Sequence, residues 1–303
     1  MNLFFPGEWE VLIINEKIEL NKNFSLSNTN YYKLKNRIGY YYADPFIYIK
    51  NGHFFLLCEE FSYYKNKGII SEFKLDQSKS YIPFNRITIE ESYHLSFPFV
   101  FDFRGSNYLV PESSEKSVIS AYFLNEQIFN SKELIFDDIN AVDSVLFIKG
   151  DNIYLFTSLP GDFGVDGRGR IVVYVTKAND FPTTNWSKVP LLSLPLGRSA
   201  GNIISCNGKL FRLSQVSNNS YGEKIAVSEI EYLEADGFKE IFLYELNPNN
   251  YGGTHMHTFN ICKDITVIDR KKISFFGILR TQYGRLIQRS FKLKKYFYTK
   301  LSN

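Results

Sequence analysis

A unit of two apolar runs joined by a tight polar turn recurs through this chain and constrains its fold. Five copies occur, at residues 44–57, 97–110, 143–156, 201–213 and, more weakly, 258–268. Their turns suit two-residue hairpins: Asn51-Gly52, Arg104-Gly105, Gly150-Asp151, Asn207-Gly208 and Lys263-Asp264. Hairpins that recur about every 50 residues are typical of the blades of a β-propeller.

Further strand-like segments complete the predicted blades. The third strands are expected at GIISEFKL, VISAYFL, RIVVYVT, KIAVSEIEYL and ISFFGIL, and outer strands at segments such as RITIEESY and SKELIFDD. The sequence therefore predicts an all-β, five-bladed propeller that forms a single domain over residues 1–303, with repeats starting near residues 44, 97, 143, 201 and 258. The segment WEVLIINEK is left over, and we expect it to close the last blade and cover its edge. A β-sandwich with regular hairpins is the alternative fold.

The charge balance and the cysteines bear on partners and compartment. Lys and Arg number 35 against 32 Asp and Glu, a net charge of +3, which argues against a dedicated nucleic-acid binder. Cys58, Cys206 and Cys262 show no CxxC spacing, so we expect reduced thiols. The first residues do not resemble a secretory signal, and no apolar run approaches the length of a membrane span. We therefore expect a cytoplasmic protein.

Two segments stand apart from the repeats. Residues 159–170 are rich in Gly and Asp and predict a mobile loop inside the third repeat. Residues 289–303 are basic and aromatic. They predict either a solvated final strand or helix, or a patch that touches an anionic membrane surface and makes the protein peripheral to the inner membrane.

Chemically distinctive residues occupy equivalent positions in the repeats. The first strand of every propeller blade lines the central channel, so the starts of these strands converge on one cavity. The residues at those starts are Asp44, Ser96 with Phe97, Asp143, Arg198 with Asn202, and His255 with His257. The second strands end at Glu59 and Glu60, Glu112, Ser158 and Gln215. A carboxylate that ends an apolar run is costly to bury unless it is paired or functional.

Alternative interpretations accompany several of these residues. An Asp before Pro is often a turn residue, but the shared register of Asp44 and Asp143 favours a functional role. Only one of Glu59 and Glu60 can face inward on a strand, and we expect Glu60 to do so. The His pair lacks a third ligand nearby in sequence, so we predict no metal site. The sequence contains no P-loop, no GxSxG and no GxGxxG after a strand, and we predict no cofactor.

Several short motifs, in order, carry a family resemblance. The series ADPF, EEF, YHLSFPFVF, VPES, DSVLF, RSAGN, and HTFN with VID resembles the N-terminal domain of plant glucosamine inositolphosphorylceramide transferases, from about Tyr41 to Asp269. Bacterial relatives of that domain occur in polysaccharide-biosynthesis settings. More distantly, the chain is similar to the five-bladed propellers of arabinanases, β-xylosidases, invertases and levansucrases. That likeness implies a carbohydrate site at the propeller axis, with an acidic residue on each of the first three blades.

The resemblance implies a role for Asp44 and shows two departures. Asp44 matches the blade-one Asp that serves the hydrolases as base or nucleophile. Phe97 occupies the register of the blade-two acid, for which Glu112 is the nearest replacement, and Asp143 stands where the third blade usually carries Glu. Hydrolysis needs an acid and a base at set separations, so the changed set favours glycosyl transfer.

The predicted function is glycosyl transfer in the biosynthesis of a bacterial surface polysaccharide such as a capsule. The partners would be a sugar donor, either a nucleotide sugar or a sugar phosphate, and a glycan acceptor. A glycoside hydrolase or transglycosidase is the first alternative, and a non-catalytic glycan-binding propeller is the second.

Each candidate residue has an expected role. Asp44 and Asp143 would flank the reacting sugar, with Glu112 and Glu60 holding hydroxyls or carrying protons. Arg198 and His257 would meet an anionic group. Tyr41, Tyr42 and Phe97 would form a stacking wall. The remaining predicted substrate-binding residues are Asn202, Gln215 and His255.

Overall fold

The five sequence repeats become five antiparallel, four-stranded sheets arranged in a ring. A computed structural model describes residues 8–20, 25–76, 81–125, 128–159, 171–273, 279 and 282–290. Separate sheets of this kind are the blades of a five-bladed β-propeller, which confirms the predicted fold and excludes the β-sandwich. The assignment of residues 1–303 to one domain stays a prediction.

The first three blades are each built from consecutive strands. Blade 1 contains β3 (Tyr40–Lys50), β4 (His53–Ser62), β5 (Lys67–Leu75) and β6 (Tyr81–Ile89). Blade 2 contains β7 (Ser96–Phe103), β8 (Ser106–Glu112), β9 (Ile119–Asn125) and β10 (Ile128–Phe136). Blade 3 contains β11 (Val142–Lys149), β12 (Asn152–Ser158), β13 (Ile171–Lys177) and β14 (Ser187–Lys188).

The last two blades follow the same plan, except that blade 5 draws on both ends of the chain. Blade 4 contains β15 (Ile204–Cys206), β16 (Lys209–Val216), β17 (Lys224–Glu234) and β18 (Gly237–Leu246). Blade 5 contains β19 (Phe259–Cys262), β20 (Ile265–Lys272), β1 (Glu8–Ile14) and β2 (Tyr31–Lys33). Short 3₁₀ helices lie at Leu26–Asn28, Ser114–Lys116 and Pro248–Tyr251, and residues 282–290 are helical.

The N-terminal strand closes the ring. β1 pairs with β20 in antiparallel register from Glu8 opposite Lys272 to Ile14 opposite Thr266. This confirms the prediction for WEVLIINEK, and it corrects the expectation that ISFFGIL supplies the third strand of blade 5. The neighbours of β20 are β19 and β1, so that position is already taken. Pairing the two ends of the chain removes a sheet edge that would otherwise be exposed.

Aromatic side chains fill the space between the first three blades. One buried cluster joins Phe46 of β3, Phe97, Phe99 and Phe101 of β7, and apolar residues of blade 3. The Phe46 and Phe97 rings meet edge to face, with centroids 4.8 Å apart. Such pairs are favoured over face-to-face stacking, so these phenylalanines serve packing between blades.

Two of the predicted segments lie outside the described residues. These are residues 160–170 of the predicted loop and residues 291–303 of the basic C-terminal segment. Within the described part of the chain, no helix has the length and apolar character needed to cross a membrane. Cys58 is buried, Cys206 and Cys262 are half-buried, and all three are unpaired.

Ring closure depends on buried side chains of β1, and Leu12→Ala tests this. Leu12 is fully buried beside Phe259 and Ile268. The substitution should cost about 2–5 kcal/mol of unfolding free energy, because it leaves a cavity where the chain ends meet. Urea denaturation measures it, with Leu134→Ala, a change at a side chain on the outer strand β10 that is 41 % exposed, as the control. A loss no larger than that of the control would contradict the closing role of β1.

Candidate active site at the propeller axis

The same backbone irregularity begins the first strand of blades 1, 2 and 3. The pairing register jumps between Ala43 and Phe46, between Ser96 and Phe99, and between Val142 and Val145. Inside each jump one residue adopts a left-handed conformation: Asp44 (φ 50°), Phe97 (φ 44°) and Asp143 (φ 50°). Left-handed residues other than glycine are uncommon, and bulges re-aim side chains near functional sites. Three blades therefore turn equivalent residues out of the regular strand pattern.

Each of these bulge residues donates its backbone amide to a carboxylate of the preceding blade. The Asp44 amide donates to Asp269 Oδ2 at 3.0 Å. The Phe97 amide donates to Asp44 Oδ2 at 3.2 Å, and the Asp143 amide donates to Glu112 Oε2 at 3.2 Å. A bulge removes an amide from the strand ladder, and a buried amide needs an acceptor. Asp44 and Glu112 therefore connect the blades as well as facing the site.

A cavity of about 280 Å³ lies at these bulges. Its walls come from blades 1, 2, 4 and 5, and they are mostly polar or aromatic. The lining residues are Trp9, Tyr41, Ala43, Asp44, Glu59, His94, Ser96, Glu112, Arg198, Tyr221 and His257. The structure thus brings together five residues with predicted roles: Asp44, Glu112, Arg198, His257 and Tyr41.

One side of the cavity is a buried Asp–His–Asp cluster. His257 Nδ1 lies 2.7 Å from Asp269 Oδ2, and Nε2 lies 3.4 Å from Asp44 Oδ1. Burial lowers the pKa of His257, but the two carboxylates outweigh it and leave that pKa raised. Burial also raises the pKa of Asp44 to about 6, although His257 and the Thr258 hydroxyl, which donates to Asp44 Oδ1 at 2.9 Å, act in the opposite direction. The Trp9 ring stacks on the imidazole at a centroid distance of 4.1 Å.

The same three side chains have the spacing of a cation site. Ligand atoms of Asp44, His257 and Asp269 lie within 4.8 Å of one another. Asp269, distant in sequence from the His pair, is the third group that the sequence pattern lacked. However, its carboxylate already accepts the backbone amides of Asp44, His257 and Thr258. Protein donors thus account for its position, and the absence of a metal stays a prediction.

The other side of the cavity is an ion-pair cluster. Arg198 Nε lies 2.6 Å from Asp143 Oδ2, and Nη2 lies 3.0 Å from Asp143 Oδ1 and 3.4 Å from Glu112 Oε2. The Gln215 amide donates to Asp143 Oδ2 at 2.8 Å. Burial, and then the Asp143 carboxylate, raise the pKa of Glu112 to about 8, with Arg198 opposing them. The cluster therefore presents a carboxyl that keeps its proton at neutral pH.

Two predicted residues, Glu60 and Tyr42, lie on the opposite face of their strands from the cavity. Glu60 pairs with Arg37 and accepts from the Ser71 hydroxyl at 2.7 Å. Tyr42 is buried against Phe73. Successive side chains of a strand point to opposite faces, so Glu59 lines the cavity in place of Glu60, and of the two predicted tyrosines only Tyr41 does so. The choice of Glu60 over Glu59, and the inclusion of Tyr42 in the wall, are therefore corrected.

Phe97 and His255 are also displaced from their predicted places. The Phe97 ring is fully buried between blades and cannot stack on a sugar, although its amide holds Asp44. His255 contacts the hydroxyls of Ser220 and Thr254 and does not line the cavity. His255 and His257 were expected at the start of the first strand of blade 5, but both precede it, because β19 begins only at Phe259.

Three further predicted residues lie beside the cavity without lining it. Asp143 is bonded to Arg198, and Gln215 donates to both Asp143 and the Ser199 carbonyl. The backbone amide of Asn202 donates to Asn260 Oδ1 at 2.8 Å. Asp143 and Gln215 therefore hold Arg198 in place from outside the cavity, whereas Asn202 connects to β19 of blade 5.

The sequence-based prediction missed Trp9, Tyr221, His94 and Asp269. Trp9 reaches the cavity only because β1 joins blade 5, and Tyr221 and His94 lie in loops without any periodic signal. Asp269 did carry a signal, since it is a carboxylate inside the apolar run of β20, and it is fully buried.

The fold and the cavity define a five-bladed β-propeller with an acidic site at its axis. The chain belongs to the family described as glucosamine inositolphosphorylceramide transferase 1, N-terminal, whose family model matches residues 30–263. It is 28 % identical over 233 residues to glucosamine inositolphosphorylceramide transferase 1 of Arabidopsis thaliana, covering 72 % of this chain and 30 % of that protein. The chain therefore spans less than a third of the length of this relative.

Solved structures share the fold at low sequence identity. The catalytic domain of a GH62 α-L-arabinofuranosidase from Coprinopsis cinerea gives a TM-score of 0.51 at 13 % identity, covering 65 % of this chain and 67 % of that one. An α-L-arabinofuranosidase from Lactobacillus brevis gives 0.52 at 10 % identity, covering 70 % and 82 %. At such identities the likeness concerns the fold alone.

The buried Glu112 makes a stability prediction. Its pKa is raised from 4.5 to about 8, so the folded state binds more protons than the unfolded state between those values. Unfolding free energy should therefore fall across this range as pH rises. Glu112→Gln removes the titrating group but keeps an oxygen acceptor for the Asp143 amide. The unfolding free energy of Glu112→Gln, relative to that of the wild type, should therefore rise between about pH 5 and about pH 8.

Urea denaturation across that pH range measures the difference between variant and wild type. The matched control is Glu133→Gln, at an exposed side chain of β10. A difference independent of pH for Glu112→Gln would show that Glu112 is ionised in the folded protein throughout the range.

Proposed function

We propose that this protein is a carbohydrate-active enzyme that transfers a glycosyl group from a sugar donor to a glycan acceptor during assembly of a bacterial surface polysaccharide. The observation that carries the proposal is that one cavity holds two carboxyls whose pKa values differ, Asp44 at about 6 and Glu112 at about 8. Such a separation provides a proton acceptor and a proton donor at neutral pH. Membership of a family named after a glycosyl-transferring relative supports transfer.

The cavity suits one sugar ring. Its volume of about 280 Å³ is near the lower end of the roughly 300–1,000 Å³ of small-molecule sites. Trp9, Tyr41 and Tyr221 supply aromatic rings to its wall, and such rings can pack against the C–H face of a sugar. The carboxyls around them offer acceptors for sugar hydroxyls.

The proton balance assigns the roles. Glu112, protonated at neutral pH, gives its proton to the oxygen of the departing group. Asp44, largely ionised, accepts the proton of the hydroxyl that attacks the anomeric carbon. Thr258 and the Phe97 amide each donate to one oxygen of the Asp44 carboxyl and hold it in place. Asp143 is bonded to Arg198 and Gln215, so we assign it to positioning Arg198 rather than to flanking the sugar.

Hydrolysis or transglycosylation is the second candidate, and one observation favours it. Arg198 is already paired with Asp143 and Glu112, and His257 lies between Asp44 and Asp269. Cations that are neutralised in this way have little charge left for a phosphate leaving group. An uncharged glycoside is then the simpler ligand for the cavity.

We further infer that the protein acts in the cytoplasm, at or near the inner membrane. Three unpaired cysteines are compatible with a reducing compartment. The basic segment proposed to touch the membrane lies among residues 291–303, outside the described part of the chain.

Asp44→Asn tests the acid/base pair. Asn keeps an oxygen for the Phe97 amide and tolerates the left-handed backbone, so the fold should persist. Turnover should fall by about 100-fold or more, because the proton acceptor is lost. The matched control is Asp102→Asn, at an exposed carboxylate of β7. Full activity in Asp44→Asn would remove Asp44 from the mechanism.

The pH dependence of kcat/KM provides a second test of the pair. The rate should rise as pH passes about 6, where Asp44 ionises, and fall as pH passes about 8, where Glu112 loses its proton. In Glu112→Gln the fall near pH 8 should disappear together with most of the activity. A wild-type profile that is flat between pH 5 and pH 9 would contradict these assignments.

The acceptor requirement distinguishes the candidate reactions. Nucleotide sugars, sugar phosphates and aryl glycosides are incubated with and without an oligosaccharide acceptor, and both released sugar and extended acceptor are measured. Transfer only in the presence of the acceptor supports the proposal. Release of sugar to water without an acceptor supports hydrolysis. Glycan binding without any turnover would leave only the non-catalytic alternative.

A further inference from the structure

A second pair of ionisable side chains faces the cavity and has no part in the acid/base assignments. Glu59 lies on β4, beside the strand that carries Asp44, and His94 lies in the loop before β7. His94 Nε2 is 3.6 Å from Glu59 Oε1. That distance is too long for a direct hydrogen bond, so the two polar atoms lie next to each other at the cavity without bonding to each other.

The backbone fixes the orientation and tautomer of His94. The Gly68 amide donates to His94 Nδ1 at 2.9 Å, so Nδ1 is an acceptor and carries no proton. The neutral imidazole then has its proton on Nε2, the atom that faces Glu59. Burial lowers the pKa of His94 and favours this neutral form. A side chain at Gly68 would collide with the Leu95 carbonyl and the Glu59 carboxyl, which explains why glycine stands there.

Glu59 is a buried carboxyl whose hydrogen-bonding capacity is not used. Only 6 % of the residue is exposed, and no hydrogen bond to its side chain occurs within the described part of the chain. Burial, and then the nearby Asp44 and Glu112, raise the pKa of Glu59 well above its usual value, so it holds its proton. The Glu59 side chain lines the cavity, so a ligand that enters it can reach the carboxyl.

We propose that Glu59 and His94 together bind one hydroxyl group of the sugar in the axial cavity. The hydroxyl oxygen accepts a hydrogen bond from the Nε2–H group of His94. The hydroxyl in turn donates a hydrogen bond to the carbonyl oxygen of the Glu59 side-chain carboxyl. The two atoms are 3.6 Å apart, so an oxygen placed to one side of them can lie about 2.8 Å from both. The inference rests on the proposed function, since it requires a sugar in the cavity, and it adds the group that the site selects.

The hydrogen-bond donor of His94 and the acceptor of Glu59 favour a hydroxyl over other ligand groups. A carbonyl or ether oxygen can only accept, so it leaves the carbonyl oxygen of the Glu59 carboxyl without a donor. A phosphate would bring a full negative charge against a cluster of buried carboxyls. A hydroxyl both donates and accepts, so it can satisfy the His94 donor and the Glu59 acceptor while remaining neutral. The pair should therefore reject the sugar that lacks this hydroxyl, because two buried polar groups would be left unpaired.

The experiment measures binding by isothermal titration, using methyl glycosides of glucose, galactose, mannose, glucosamine, arabinose and xylose. Every glycoside that binds the wild type is then replaced by its monodeoxy analogues. We expect one deoxy position to weaken binding by about 10-fold or more, and the others to have smaller effects.

Two pairs of variants test whether Glu59 and His94 are the residues that bind the hydroxyl at that position. Glu59→Leu and His94→Asn each remove one partner of the hydroxyl. Each should weaken binding of the parent sugar by about 10-fold or more. Both variants should bind the critical deoxy analogue with the affinity of the wild type, because that analogue has no hydroxyl for Glu59 and His94 to bind. Glu59→Gln and His94→Gln keep a neutral acceptor and a side-chain N–H donor respectively, and should retain most of the affinity. Circular dichroism and melting temperature establish that each variant is folded.

The outcomes separate this inference from the proposed function. Parent sugar bound equally by Glu59→Leu and the wild type would overturn the inference and leave the sugar site standing. Equal weakening of the parent and of every deoxy analogue in the variants would also overturn it, since that pattern indicates a structural role. Failure of all six glycosides to bind the wild type would overturn the proposed sugar site itself, before any variant is made.

Discussion

The hydrogen bonds between bulge amides and buried carboxylates are the contacts on which this site depends. A left-handed residue near the start of a blade's first strand takes one backbone amide out of the ladder, and a carboxylate of the preceding blade accepts it. Asp269 does this for blade 1, Asp44 for blade 2 and Glu112 for blade 3. Because an unpaired buried amide is costly, each carboxylate is held where the blades meet. The junctions between blades and the polar site are therefore built from the same atoms.

Burial and charge pairing divide these carboxyls into two kinds. Asp143 and Asp269 face cations, Arg198 and His257, which lie within 3 Å of them. Glu112 is 3.4 Å from Arg198 and is subject to the charge of Asp143, so burial dominates and its pKa rises. Asp44 and Glu112 both lie 3.4 Å from a cation, so their other neighbours separate them: after burial, His257 has the largest effect on Asp44 and lowers its pKa, whereas Asp143 has the largest effect on Glu112 and raises its pKa. The same pairing occupies the cations, which makes a neutral, hydroxyl-rich ligand a better match than a phosphate.

Much of the ring was predictable because its signals are local. The hairpin turns, the apolar runs and the spacing of Asp44 and Asp143 follow from alternation along strands and from repetition. Sequence reasoning failed where alternation was misjudged or interrupted. It selected Glu60 in place of Glu59 and put both Tyr41 and Tyr42 in the wall, although adjacent side chains of a strand point to opposite faces, and only the tertiary structure shows which face meets the cavity. It also treated His255 and His257 as one strand, although β19 starts after both.

By itself, the sequence determined the all-β propeller, the number of blades, the closing role of the N-terminal strand and the axial position of Asp44, Glu112, Arg198 and His257. These follow from a repeated short-range pattern, which the symmetry of the ring turns into a shared axis. The tertiary structure alone decided which neighbours each charge meets, and hence which carboxyl keeps its proton. It also brought Asp269 and His94 to the site, because contacts between residues far apart in the chain leave no periodic trace in the sequence.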